Sequence, residues 1–146
     1  MENGLEVPQG FEPLFRSSPF LDANGPFFAK RHEGKLVIGL RIETRHTNAR
    51  GLVHGGLLAT LADVALGYSA AFSNEPPLSL ITSSLSIDYV GTAKVGDWIE
   101  AHSDIQRLGS RMAYVNAYIH RGAERIVRAS ASFVVGGELT SRATRP

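Results

Sequence analysis

The chain has 146 residues, 43% of them hydrophobic and 20% charged, which fits one soluble globular domain with a core of its own. It contains no cysteine, which excludes disulfides, thiolate metal sites and a cysteine nucleophile. A net charge of +1 and the lack of a basic, aromatic-interleaved stripe give no reason to expect nucleic acid.

In chain order, the segment up to Gly25 contains Pro8, Pro13 and Pro19 and reads as a variable N-terminal stretch, with at most a short helix over Phe11 to Phe15. Its polar, acidic start, Met1 to Glu6, is unlike a signal peptide. Pro26 to Lys30 and Leu36 to Ile42 are expected strands around a His32-Glu33-Gly34-Lys35 turn. An apolar helix follows from about Gly55 to Phe72, and Asn74-Glu75-Pro76-Pro77 stops it because proline cannot continue a helix. This apolar run is short for a membrane span and carries Asp63 inside it, so a cytoplasmic protein is expected.

The remainder reads as strands over 80–90, 98–107, 112–120 and 126–135, with turns at Val95-Gly96-Asp97, Leu108-Gly109-Ser110 and Gly122-Ala123. No helix separates them, so a largely antiparallel sheet in meander order is expected. Residues 137–146 read as a flexible tail, and 1–146 as a single α+β domain. One helix cannot cover both faces of such a sheet. The sheet is therefore expected to curl around it, leaving a face or an edge for a partner copy.

The stretch from Asn48 to Gly67 carries the chemistry. Asn48-Ala49-Arg50-Gly51-Leu52-Val53 leads into His54-Gly55-Gly56 and directly into the apolar helix. The first N–H groups of a helix have no intrahelical partner and can receive negative charge. Asp63 is the one charge on that helix, and burying a lone carboxylate among leucines is costly. Oxyanion donors and a carboxylate base are the two parts of an acyl-transfer site. Gly55 and Asp63 are eight positions apart, about 12 Å along a helix axis. Both must lie about 3 Å from the reacting atoms, so an antiparallel second copy is needed to bring one helix start to the other copy's carboxylate. His32, His46, His54, His102 and His120 show no metal-ligand spacing.

Asn48-x-x-Gly51-x-x-His54-Gly55-Gly56, then Asp63, resembles the signature of the hotdog-fold acyl-CoA thioesterases of the phenylacetic-acid-degradation (PaaI-like) type, in the 4-hydroxybenzoyl-CoA thioesterase superfamily. Asp88-Tyr89-x-x-x-Ala93-x-x-Gly96-Asp97 and Arg107-x-Gly109-x-Arg111-Met112-Ala113 are similar to later blocks of that family. The resemblance implies a long central helix wrapped by a curled antiparallel sheet of five to six strands, paired into dimers with a continuous sheet and often into homotetramers, as dimers of dimers. It also implies hydrolysis of acyl-CoA to free acid and CoA, without metal or organic cofactor, the acyl group being aryl-acetyl or short-to-medium.

Carried over by position, Gly55 is the backbone donor to the thioester carbonyl, Asn48 the amide beside it and Asp63 the catalytic carboxylate. Thr82 is the residue that positions water. Read from the residues alone, Asn48 also suits closure of its own loop as an Asx-turn, His54 a loop-fixing hydrogen bond, and Thr82 ordinary strand chemistry. His54 and Gly56 are expected beside the substrate; Lys94, Arg107 and Arg111, with Arg50, are the candidates for the CoA phosphates, each read from the residues alone as a solvated surface charge. Many relatives carry arginine or proline in the segment corresponding to Val90-Gly91-Thr92. This chain has neither, so no phosphate contact is carried over there. The acyl pocket is expected along Leu58, Leu61 and Tyr68. The alternatives are a hotdog hydratase or dehydratase, disfavoured because His54 has no partner acid nearby, and a non-catalytic acyl-CoA sensor, disfavoured by Asp63 and the absence of an effector module.

Overall fold

The computed structural model describes residues 6–139. Met1 to Leu5, and residues 140–146 of the expected tail, lie outside them. Strand β1 (Glu12–Pro13) is followed by helix α1 (Pro19–Asn24), strands β2 (Phe28–His32) and β3 (Lys35–Arg41), helix α2 (Gly55–Ala71) and strands β4 (Leu78–Tyr89), β5 (Trp98–Leu108), β6 (Met112–Arg121) and β7 (Glu124–Glu138). All strands form one seven-stranded antiparallel sheet in the order β1-β2-β3-β5-β6-β7-β4, curled around α2.

Helix α2 forms because it is rich in leucine and alanine and nearly all of it is apolar, so burial outweighs the cost of its interior Gly67. Leu57, Leu58, Leu61, Ala62, Ala65, Leu66, Ala70 and Ala71 are all buried. A helix apolar on most of its circumference belongs inside a sheet that wraps it. The inward residues of the strands alternate as their pleat requires: Ile99 and Ala101 on β5, Ala113 to Ile119 at every second place on β6, and Val127 to Phe133 likewise on β7. Small residues on β6 and β7 let the sheet approach the helix, while Phe133 fills the space beside Gly67, where an added Cβ would lie 3.4 Å from its ring.

The sheet has seven strands where five to six were expected, and other expectations are corrected with it. Residues 11–15 are not a helix: Glu12 and Pro13 pair with Ala29 and Phe28, and the short helix starts later. Ser18 caps it by accepting from the Leu21 N–H at 3.2 Å, and Pro19 occupies the first turn, where its missing N–H costs nothing. The four late strands do not run as one meander. Only β5, β6 and β7 do, while β4 lies on the far edge beside β7, and β3 takes the position next to β5.

The cause of that rearrangement is α2, which carries the chain across the sheet before β4 begins. Residues 90–97 then return along the sheet's end. Val90 and Gly91 donate to Ile126 O, Arg121 donates to Thr92 O, Ala93 O accepts from the Val53 N–H, and Gly96 donates to Ile42 O. The turn between β2 and β3 narrows to Glu33-Gly34, both at positive φ (52° and 79°), the mirror-type geometry that suits a twisted hairpin. Strand β7 runs to Glu138, so the first two residues of the expected tail belong to the sheet.

Gly39 on β3 is required by packing. A Cβ there would lie 2.3 Å from Cζ2 of Trp98, a ring already wedged between Phe11 and Phe28 and held to Glu100 through Nε1. Gly39→Ala therefore destabilises the fold by about 1–3 kcal/mol. Thermal denaturation will show a Tm lower by roughly 5–10 °C; an unchanged Tm would refute this packing account.

Candidate active site

The motif loop is built on hydrogen bonds that leave its backbone little freedom. Asn48 Oδ1 accepts from the Arg50 and Leu52 N–H groups (2.9 and 3.2 Å), closing the Asx-turn, and Gly51 at φ 79° completes it. His46, buried at the base of the loop, accepts from the Glu43 N–H at Nδ1 (2.9 Å), so its Nε2 carries the proton donated to Asn24 O (2.9 Å). His46 O in turn accepts from the His54 N–H at 2.8 Å. The loop is thus tied to the end of α1, and its own end delivers His54 as the N-cap of α2.

At the helix start three of the four orphan donors are already used: the His54 N–H by His46 O, the Gly56 N–H by His54 Nδ1 (2.8 Å) and the Leu57 N–H by His54 O (3.0 Å), the oxygen that also accepts the first intrahelical bond, from Leu58 (3.2 Å). The Gly55 N–H has no partner among the described residues. It is a free donor at the positive end of the helix dipole. The Tyr89 hydroxyl, from the end of β4, donates to Gly55 O at 2.8 Å. An added Cβ at Gly55 would sit 3.3 Å from the Tyr89 ring.

Asp63 lies two turns further on, half-buried, on the side of α2 that faces β4. Thr82 Oγ1 donates to Asp63 Oδ1 at 2.8 Å. Oδ2 accepts nothing among the described residues. The pair stands in a groove of about 260 Å³ lined by Val64, Gly67, Tyr68 and Ala71 from the helix, Leu78 and Leu80 from β4, and Phe133 beneath. Arg16 reaches the groove from the N-terminal segment, 5.9 Å from the Tyr68 ring centroid, and Phe15 packs on Tyr68 and Phe72. Burial pushes the Tyr68 phenol above its ordinary pKa against the opposing field of Arg16, so it remains a neutral donor. Of the pocket residues expected from the sequence, Tyr68 lines this groove. Leu58 and Leu61 do not: at 2% and 0% exposure they belong to the core.

The structure gathers Asn48, His54, Gly55 and Gly56 at one end of α2. Lys94 is held beside Leu52 at the same end by an isolated bridge. Thr82 and Asp63 meet near mid-helix. Arg107 and Arg111 flank the β5–β6 turn at the opposite end of the sheet, where Arg111 O accepts from the Val135 N–H. Within one protomer, then, no single point touches both Gly55 and Asp63. Tyr89, His46 and Arg16 belong to this architecture and were not singled out by sequence. Tyr89 alone had a signal, its place in the Asp88-Tyr89 block. Among the described residues no group of His, Asp and Glu is placed to hold a metal ion, and no helix is long and apolar enough to cross a membrane.

Comparison with known proteins agrees with this geometry. The model of the thioesterase superfamily matches residues 50–127, from the motif loop through the start of β7. A Pseudomonas aeruginosa protein designated only provisionally as an esterase is 51% identical over 130 residues, spanning 88% of this chain and 97% of its own. The acyl-coenzyme A thioesterase PaaI of Escherichia coli is 23% identical over 137 residues, covering 92% of this chain and 96% of that one. Its solved structure superimposes with a TM-score of 0.75 over 85% of this chain and 89% of PaaI, at 20% identity, which speaks for the fold. A Bacillus halodurans protein, solved with CoA, gives a TM-score of 0.68 at 28% identity over 73% of this chain and 72% of that chain. With its helix wrapped by an antiparallel sheet and its family motif at the helix start, the chain belongs to the thioesterase superfamily, as a hotdog-fold member.

Proposed function

We propose that the protein hydrolyses acyl-CoA thioesters to the free acid and CoA at a site shared between two subunits. The observation that carries this reading is the Thr82–Asp63 hydrogen bond in a groove that Val64, Tyr68, Leu80 and Phe133 also line. The PaaI relative acts on acyl-CoA by name and the Bacillus halodurans neighbour was solved with CoA, which supports CoA as the carrier.

In this mechanism a water donates one hydrogen to Asp63 Oδ2 and the other to Thr82 Oγ1, whose own proton is committed to Oδ1. A lone pair of the water oxygen faces the thioester carbonyl. Asp63 takes the proton as the water oxygen bonds to carbon. The carbonyl oxygen becomes an oxyanion held by the Gly55 N–H of the partner subunit at the positive end of that helix. Collapse breaks the C–S bond, and the CoA thiolate leaves with the proton from Asp63. Direct attack by Asp63 through an anhydride uses the same groups; the Thr82 bond favours the water route, because it orients the carboxylate and offers water a second acceptor.

Two features support the shared site. Gly55 and Asp63 lie about 12 Å apart along one helix, and β4 is an edge strand twelve residues long with Ile81 63% exposed. A long unprotected edge is a template for strand pairing. Pairing β4 with an antiparallel copy would bring one protomer's helix start toward the other's mid-helix, and with it Lys94 toward the end of the sheet that carries the other's Arg107 and Arg111. Pairing of such dimers into tetramers is part of the proposal. The acyl group lies in the groove, between Val64, Tyr68, Leu80 and Phe133.

The test is thiol release over a panel of phenylacetyl-, benzoyl-, hexanoyl- and palmitoyl-CoA. Turnover of the aryl-acetyl and shorter acyl groups, with palmitoyl poorest, is the expected result. A protein that binds acyl-CoA but releases no thiol from any of them would be a sensor, and the proposal would fail.

A further inference from the structure

Gly55 lies between two peptide planes, and each is held by a named contact. The carbonyl of the His54–Gly55 plane accepts from the Leu57 and Leu58 N–H groups. In the Gly55–Gly56 plane the N–H donates to His54 Nδ1, while the carbonyl accepts the Tyr89 hydroxyl at 2.8 Å. Glycine is the most freely rotating residue, so an oxyanion donor placed on one needs external restraint to stay aimed. Of these restraints only Tyr89 comes from outside the loop and the helix.

We infer that Tyr89 is a positioning residue for the reaction, holding the Gly55–Gly56 plane with its hydroxyl and its ring and so limiting, across Gly55, the turning of the plane that carries the Gly55 N–H. This rests on the reading of Gly55 as the oxyanion donor. The hydroxyl is spent on Gly55 O, so Tyr89 acts through Gly55 and not on the substrate. The ring closes the space where a side chain at position 55 would stand, 3.3 to 3.5 Å from that Cβ. Strand β4 then supports both halves of the chemistry, with Thr82 orienting Asp63 and Tyr89 orienting Gly55.

The experiment is Tyr89→Phe, which keeps the ring and deletes one hydrogen bond. The expected result is a kcat lower by about five- to tenfold. KM, the Kd of a non-hydrolysable thioether analogue of the best acyl-CoA, and Tm should stay at wild-type values. An unchanged kcat would overturn the inference. So would a fall in kcat matched by losses in Tm and analogue binding, since that is the signature of a merely structural tyrosine. Asp63→Ala run beside it separates the two levels. If Asp63→Ala is inactive and Tyr89→Phe is normal, only the role of Tyr89 fails; if Asp63→Ala keeps turnover, the site itself fails.

Discussion

Asp63→Ala will lower kcat for thioester hydrolysis by about 10³-fold, the scale of a lost general base, while the protein folds and assembles as before. The fold should survive because Asp63 is half-buried outside the core and its one side-chain hydrogen bond goes to an exposed Thr82. Removing the carboxylate leaves the Thr82 hydroxyl to solvent, not orphaned in an apolar interior, so no large desolvation cost arises. Asp63→Asn separates charge from shape. It retains an oxygen to accept from Thr82 but cannot take a proton from water, so it should be nearly as inactive as the alanine variant. Thr82→Val should cost less, about tenfold, because it removes the orienting bond and leaves the base. Thiol release and circular dichroism on the same preparations check this. Near-wild-type turnover in Asp63→Ala would make Asp63 a structural carboxylate and remove the foundation of the mechanism.

The parts of the molecule that a sequence can show are those governed by local chemistry. Helix α2 was legible because its apolar run follows directly on His54-Gly55-Gly56 and is stopped by Pro76-Pro77. The late strands were legible from their alternation. The pairing of β4 was not, because it depends on where α2 sets the chain down, and nothing within Leu78–Tyr89 distinguishes an edge from a central position. Helix α1 had a readable start in Ser18-Pro19, outweighed by the prolines around it.

The candidate site divides the same way. The motif placed Asn48, His54 and Gly55 at the helix start, and Asn48 proves to spend its Oδ1 on its own loop, as an asparagine before a tight turn does. Leu58, Leu61 and Tyr68 all lie on the apolar helix, and its sequence does not say which of them faces a pocket. The wrapped sheet uses Leu58 and Leu61 as core and leaves the groove to the strip through Asp63, Gly67 and Tyr68. Tyr89 could not be assigned from spacing, since its contact spans 34 positions and exists only after β4 has returned past the helix start.

Gly55→Pro tests the other half of the site, and the local backbone makes it an unusually clean substitution. Gly55 is the first helical residue, the position where proline's fixed φ fits and its missing N–H breaks no intrahelical bond. His54, at φ −70° and ψ 135°, already has the extended geometry that a residue before proline adopts. The new Cβ presses on Tyr89, but Gly55→Ala imposes that same contact while keeping the N–H. The difference between the two variants therefore isolates the donor. Gly55→Pro should fall about 10²- to 10³-fold below Gly55→Ala in kcat, as removal of an oxyanion donor does elsewhere. Equal activities would remove Gly55 from the chemistry. Two inactive variants can then report on each other. If each site takes Gly55 from one subunit and Asp63 from its partner, a mixed dimer of Gly55→Pro and Asp63→Ala has one intact site and one doubly defective site. Random assembly of an equal mixture should restore about a quarter of wild-type activity. A site contained within one protomer would restore none, and the helix geometry that puts Asp63 two turns beyond Gly55 would need another explanation.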